Sequence, residues 1–475
     1  MIFNKSYIIL FIEKIQKKSE KEVQRKMKTK NKRNYLKETG ITLIALVVTI
    51  VVLLILAGVS INALFGDNGI IEKAKEAQNK MDQAAENDLN ALNELNEWLD
   101  SKINGTTGGD DDPSTGKLPS VANETIPYYP DETFTKVEGT TLDNGLVIQD
   151  ANGNEYVWIE VPKSLYNNEA YNTETTKEDQ KPASSTDYAK IEYCLHKYTD
   201  YYRNGTSFTD TYSSDAATGL TSTEYTELKR KMLKSVYENG GFWIGRYEAG
   251  ITTNRTENSG TPTVAPLSKA GTVENAVYPY TYVTCSQAQT LANMLTTDNY
   301  TCSLMFGVQW DLVMKHIEVK EGTDATKLAA IQEALNSDST SWGNYSDASF
   351  TINRGKYAKF GELSTWYNYN NESGLTGCVT YADGRSTKVS ASSSSNSILL
   401  TTGASEACKK MNIYDLAGNV YEWTLEYASR TDYPCADRGG VYFFSGSDFP
   451  ASPRSSSNTT AGGIFNIGFR ASLYK

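Results

Sequence analysis

The run Asn412-Ile413-Tyr414-Asp415-Leu416-Ala417-Gly418-Asn419-Val420-Tyr421-Glu422-Trp423 is followed by Arg438-Gly439-Gly440 and then by Ile467-Gly468-Phe469-Arg470, three ordered patterns near the end of a 475-residue chain. Between the second and third stand Tyr442, Phe443, Phe444, Ser445, Asp448, Phe449, Ser452, Pro453, Arg454, Ser455, Ser456, Ser457, Ile464 and Phe465. No Lys, Glu, Gln, Met or Trp occurs from Val441 to Ser472, although Lys and Glu are common elsewhere. Rigid rings supply contact area and small polar residues supply adaptable hydrogen bonds, so this is the vocabulary of a binding surface. The same composition also reads as a Gly/Ser-rich surface loop with incidental aromatics.

Together these patterns resemble the formylglycine-generating-enzyme (sulfatase-modifying factor) superfamily. Earlier pieces follow in order: Gly241-Phe242-Trp243-Ile244-Gly245-Arg246-Tyr247-Glu248 resembles the family's early core strand. Val283-Thr284-Cys285-Ser286-Gln287-Ala288 resembles the start of its first helix, and Leu304-Met305-Phe306-Gly307-Val308-Gln309-Trp310-Asp311 resembles the family's "LPTEAEWE" segment. The resemblance implies an α+β protein whose domain, 118–475, has a C-type-lectin-like fold. Function does not follow from fold. Active oxidases of the family carry two copper-binding cysteines at positions that fall near Phe444 and Phe449 here, and no Cys follows Cys435. Phenyl rings cannot replace soft thiolate ligands. The iron-dependent branch needs three histidines, and this chain has two, His196 and His316. A Ser-His-Asp relay is disfavoured on the same ground. His316, within Lys315-His316-Ile317, reads as structural. The expectation is no enzyme and no redox metal, with an oxidase relative of degenerate site as the enzymatic alternative.

The chain also resembles the variable proteins of diversity-generating retroelements, which display a hypervariable C-terminal cassette on this fold. That resemblance makes 438–473 the cassette. Adenine mutagenesis of Asn codons gives codons that cannot encode Lys, Glu, Gln, Met or Trp. Phe443, Phe444, Asp448, Phe449, Pro453, Ser455, Ser456, Ser457, Ile464 and Phe465 are the expected diversified positions, and Asn458, Thr459, Thr460 and Asn466 read as remnants. Drift in a loop freed from catalysis is the competing reading. Ligand contact is expected from these ten positions and from Tyr442, Ser445 and Arg454, toward a protein or glycan.

The resemblance further implies calcium at Asp415 to Glu422, with side-chain oxygens from Asp415 and Glu422 and carbonyls from Gly418 and Val420. Hard oxygen ligands suit calcium. A plain Asp/Asn-capped turn is the alternative.

At the other end, Ile41–Leu64 contains no charged residue, and its length exceeds the roughly 20 residues a helix needs to span a bilayer. Lys28, Lys30, Lys32, Arg33 and Lys37 precede it, which keeps the N-terminus cytoplasmic and places the domain outside. Lys37-Glu38-Thr39-Gly40-Ile41-Thr42-Leu43-Ile44 resembles a type IV prepilin site, implying cleavage after Gly40 and methylation of Ile41; an uncleaved anchor is the alternative. Pilins place Glu where this chain has Ala45; in that family the carboxylate pairs with the amino terminus of the neighbouring subunit, a charge in hydrocarbon needing a partner, and the resemblance therefore implies that this assembly contact is absent. The expected order is a leader over 1–40 with the true start at Met27, a membrane or pilin-like helix over 41–64, and a stalk over 65–103. A linker over 104–117 follows.

In the stalk, Met81, Ala85, Leu89, Leu92, Leu99 and Ile103 form one helical stripe, fit for pilin-like subunits or for docking on its own domain. Gly, Thr and mutually repelling Asp make 104–117 flexible. Net charge −11 argues against nucleic acid. Polar stretches at Asn167 to Asp187, Tyr202 to Thr226 and Ser386 to Ser397 read as surface insertions. The six cysteines, Cys194, Cys285, Cys302, Cys378, Cys408 and Cys435, leave disulfides and buried thiols both open. The whole describes a bacterial cell-surface receptor or adhesin-like protein, with a minor pilin or pseudopilin as the structural alternative.

Overall fold

An extended chain throws successive side chains to opposite sides, and the strand Glu155–Glu160 uses both. In the computed structural model Val157 and Ile159 enter the main core with Phe242 and Ile244. Tyr156 and Trp158 enter a second core with Trp243, Cys302 and Leu473. The two indoles find partners, Trp158 Nε1 donating to Thr125 Oγ1 at 2.8 Å and Trp243 Nε1 to Tyr128 O at 3.0 Å. Both faces of the sheet are thus covered.

The described residues are 117–475 apart from 175–178, 204–206, 259, 371–376, 381–385, 391–395 and 461–464. The Gly40/Ile41 site, the 41–64 helix, the 65–103 stalk, linker residues 104–116 and Ile464 lie outside them. Among the described residues no helix is long and apolar enough to cross a membrane.

Helices and sheets are mixed, with seven α-helices among the described residues. The main antiparallel sheet runs Thr135–Lys136, Val147–Gln149, Glu155–Glu160, Gly241–Gly245, Ala471–Tyr474, Thr301–Leu304. The C-terminal strand therefore seals between two strands from the middle of the chain. A second sheet runs Ser455–Ser457, Cys435–Arg438, Tyr421–Tyr427, Ile467–Phe469, the last pair parallel. It carries the three quoted patterns.

Helix starts are written locally. Thr284 and Gln287 form a reciprocal cap before Cys285–Asn293, and Thr221 and Glu224 do so before Ser222–Asn239. Ser222–Asn239 buries Tyr225, Leu228, Met232, Leu233 and Val236 on one stripe and stops at left-handed Gly240.

Helix Gly307–Glu321 is different. Its first amides, Gly307 N and Val308 N, donate to Asp210 at 2.6 and 2.9 Å, a cap from far along the chain. Burial pushes the Asp210 carboxyl up, but His196, Arg203 and the Val308 amide outweigh it and hold it below the usual range. Tyr202 is also wholly buried, its hydroxyl donating to Glu318 at 2.6 Å. The segment Tyr202 to Thr226 is therefore not a simple surface insertion. Tyr202 and Asp210 spend their polar groups inside. Lys388, in the third such segment, is buried too, and its ammonium donates to the carbonyls of Tyr345, Ser346 and Ala348. His316 is buried and structural: Nδ1 accepts from Glu160 N at 3.2 Å.

Candidate ligand-binding face

Strand Cys435–Arg438 ends in two left-handed glycines, Gly439 (φ 93°) and Gly440 (φ 79°). A Cβ on Gly440 would lie 2.2 Å from Phe449 O and 2.7 Å from the Tyr345 ring. Only glycine permits this turn and this approach together. The chain then runs through Val441 and Tyr442, both fully buried, to Phe443 and Phe449, half-buried, and Phe444, 40% exposed.

These rings join into one cluster. Phe444 stacks on Phe449 at 4.7 Å, and Phe443 touches Phe444 at 4.8 Å, Tyr442 at 5.1 Å and Phe465 at 5.7 Å. Tyr421 meets Phe449 edge-on at 6.0 Å. Phe360 packs on Phe443 at 5.0 Å and on Phe465 at 5.8 Å. Such pairs add roughly 0.5–1.5 kcal/mol beyond area burial, so the cluster is a preformed surface. Around it, Ser445 Oγ accepts from Asp448 N at 3.1 Å, and Ser346 N donates to Phe444 O at 2.8 Å. Asp448 is exposed and Pro453 half-buried.

Two expected contact residues lie inside instead. Tyr442 is wholly buried against the core. Arg454 has a side chain only 3% exposed, and its guanidinium is consumed: Nε meets Glu426 Oε1 at 2.8 Å and Oε2 at 2.9 Å, Nη2 meets Asp311 at 2.6 Å and Nη1 meets Tyr202 O at 2.9 Å. Arg438 closes the knot, donating to Asp311 at 2.8 Å and lying 3.5 Å from Glu426. Arg203 reaches Asp311 as well, at 3.4 Å, so guanidinium groups match these buried carboxylates, where one unmatched charge is costly. Tyr442 and Arg454 hold the cassette to the scaffold rather than face a ligand.

Ser455, Ser456 and Ser457 form a half-buried edge strand paired with Asp437, Ala436 and Cys435. Asp437 is buried beneath it and accepts from Ser457 Oγ at 3.2 Å. Burial pushes its carboxyl up to about 7, against the lowering effect of Ser457 and Ser455. A raised folded pKa contributes stability that is fully present below the unfolded value near 3.9. That stability is lost as pH rises through about 7. Wild type should therefore lose about 3–4 kcal/mol relative to Asp437→Asn between pH ~4 and ~7, read by urea melts at each pH. Parallel profiles for the two proteins would show that Asp437 titrates normally.

The run at Asp415 to Glu422 leads into the strand Tyr421–Tyr427 of the second sheet. Glu422 is held by Arg470, whose Nη2 and Nε donate to its two oxygens at 2.6 and 3.1 Å. Asp415 Oδ2 accepts from Gly403 N at 2.7 Å, and its Oδ1 has no partner among the described residues. Glu248 accepts from Asn419 Nδ2 at 2.7 Å and Val420 N at 3.2 Å. Gly418 N donates to Gly439 O at 2.7 Å, tying this run to the turn of the face. Burial, then Asp415 and Glu422, push Glu248 well above the carboxylate range. Burial also raises Asp415, to about 7, against Gly403 and Arg470. The calcium set needs a free Glu422 carboxylate. Here both its oxygens already meet a guanidinium, so these residues do not fit a calcium pair.

Among the described residues, one other group has metal-ligand composition: Glu192, His196 and Asp210. Lys229 Nζ lies 3.0 Å from both Glu192 oxygens, and Arg203 lies 4.0 Å from Asp210. Cations of the chain itself fill that place.

Sequence reading missed Phe360, which lies outside the cassette beside the strand Lys356–Lys359. It also missed Asp311 and Glu426 as partners of Arg454. Phe360 carried no local signal; Glu426 stands just outside the quoted run, three residues past Trp423. Comparison with known proteins gives no matching family model and no matching curated sequence.

Proposed function

We propose that this is a surface-displayed ligand-binding protein, the variable protein of a diversity-generating retroelement. It presents 438–473 on a C-type-lectin-like domain of the formylglycine-generating-enzyme type. A pilin-like helix at 41–64 anchors it at the bacterial surface. The observation that carries the reading is the sorting of the cassette. Phe443, Phe444, Asp448, Phe449, Pro453, Phe465 and the serines sit at or near the surface around one ring cluster. The residues that grip the scaffold, Gly440, Tyr442 and Arg454, are interior or conformationally fixed. Aromatic anchors near the centre of a contact usually dominate its energy, and the ligand is a protein or glycan surface. Calcium has no part in this reading, because Arg470 already neutralises Glu422.

A library of the full chain with NNY codons at the described exposed positions tests it. Most members should melt cooperatively close to wild type, while the same codons at Arg454 alone should give mostly unfolded protein. If randomising the face unfolds most members as well, the rings are core and the reading fails.

A further inference from the structure

We infer, on the reading of 438–473 as a ligand face, that this face takes a basic, apolar segment of a protein: a lysine or arginine flanked by aliphatic or aromatic side chains. Three stretches of chain build the surface. The cassette bears Phe443, Phe444, Phe449 and Phe465. The turn after strand Lys356–Lys359 brings Phe360 against Phe443 and Phe465. The loop after helix Ala325–Asn336 cradles the start of the cassette. There Ser339 N donates to Gly446 O at 3.0 Å, Gly446 N to Asp347 Oδ1 at 3.1 Å, and Ser346 N to Phe444 O at 2.8 Å. A Cβ on Gly446 would lie 2.2 Å from Thr340 N, so loop and cassette are in close contact.

The free charges on these stretches have one sign. Asp338, Glu362 and Asp448 are exposed, and Asp347 is half-buried. Across Asp338 to Ser349, Phe360 to Thr365 and Val441 to Asn466 there is no lysine and one arginine, Arg454, which Glu426 and Asp311 enclose. Lys388 is buried and donates to the carbonyls on either side of Asp347, so it offsets part of that charge from inside. Lys359, next to Phe360 in sequence, is half-buried. Of the hydroxyls beside the rings, Ser445 Oγ takes Asp448 N at 3.1 Å and Ser457 Oγ donates to Asp437 Oδ2 at 3.2 Å. Selective capture of a hydroxyl-rich sugar needs donors and acceptors aimed at it, and phenyl rings offer none. A ring face attracts a cation, and a carboxylate rim steers one toward it. Arginine both stacks on rings and pairs with carboxylates, so it is the side chain this surface matches best. Asp338, Asp347 and Glu362 stand outside the cassette. They give every variant of the cassette the same preference for basic partners.

The test selects a random peptide library displayed on phage against the full chain in detergent, beside Phe444→Ser and beside Asp338→Asn with Glu362→Gln. The last two sites are exposed, and asparagine keeps the acceptor that Thr340 N uses. Peptides that wild type retains and Phe444→Ser loses should be enriched in Lys and Arg beside Leu, Phe or Tyr. A basic peptide from that pool should bind the neutralised rim about threefold to tenfold more weakly, the scale of two exposed charge pairs. Its binding to wild type should fall as salt rises. Should Phe444→Ser melt early, the weakening in the rim variant decides alone. Peptides that need Phe444 but show no basic enrichment, or that bind the neutralised rim as tightly, overturn the inference and leave the ligand face standing. So does a neutral glycan held by wild type and lost by Phe444→Ser. A pool in which no peptide or glycan depends on Phe444 overturns the face itself, and the inference with it.

Discussion

Arg454→Ala destabilises the protein by about 3–5 kcal/mol, the cost of leaving buried carboxylates without their partner. Asp311 and Glu426 are wholly enclosed; Asp311 would keep Arg438 at 2.8 Å and Arg203 at 3.4 Å, and Glu426 would keep Arg438 at 3.5 Å. Lysine at this position would recover only part of the loss, because one ammonium cannot span Glu426, Asp311 and Tyr202 O as the planar fork does. Urea denaturation measures the effect. A loss under about 0.5 kcal/mol, the scale of an ordinary surface change, would put Arg454 back on the surface as a ligand contact.

Glu422→Ala should cost about 3 kcal/mol, the lower end of the range for breaking a buried pair, since Asp415 and Glu248 remain near Arg470 to compensate it in part. Arg470 would keep its bonds to Gly245 O and Tyr414 O at 2.9 and 2.8 Å but lose its bidentate partner. Because the guanidinium occupies both Glu422 oxygens, the loss should be the same in calcium and in chelator. Thermal melts of both proteins in both buffers give the answer. Calcium stabilisation of wild type that disappears in the variant would restore a metal to this run.

The frame of the fold was legible because its signals are local. Gly241–Gly245 alternates between two cores, Thr284 with Gln287 starts a helix, and Gly439-Gly440 marks a turn that no other residue makes. The ring cluster was legible in part for the same reason: Phe443, Phe444, Phe449 and Phe465 stand close in the chain. Phe360 was not, since a single ring beside a short polar strand gives no sign of where it packs. Arg454 was misread because its neighbours are surface-like, while its partners Asp311, Glu426 and Tyr202 come from distant segments. Asp210 and Lys388 misled likewise, each a charge in a polar stretch spent on backbone groups elsewhere. Glu422 and Arg470 both stood in quoted motifs, yet nothing in either motif states that they pair. Long-range charge matching is the part that composition hides.

The most direct measurement is population sequencing of the gene together with its immediate neighbourhood. The account predicts substitutions concentrated at codons 443, 444, 448, 449, 453, 455–457, 464 and 465, matching adenines of a near-identical template beside a reverse transcriptase, with Gly440, Tyr442 and Arg454 constant. A uniform gene without template or reverse transcriptase, or variation that falls on Arg454 as freely as on Phe444, would contradict it.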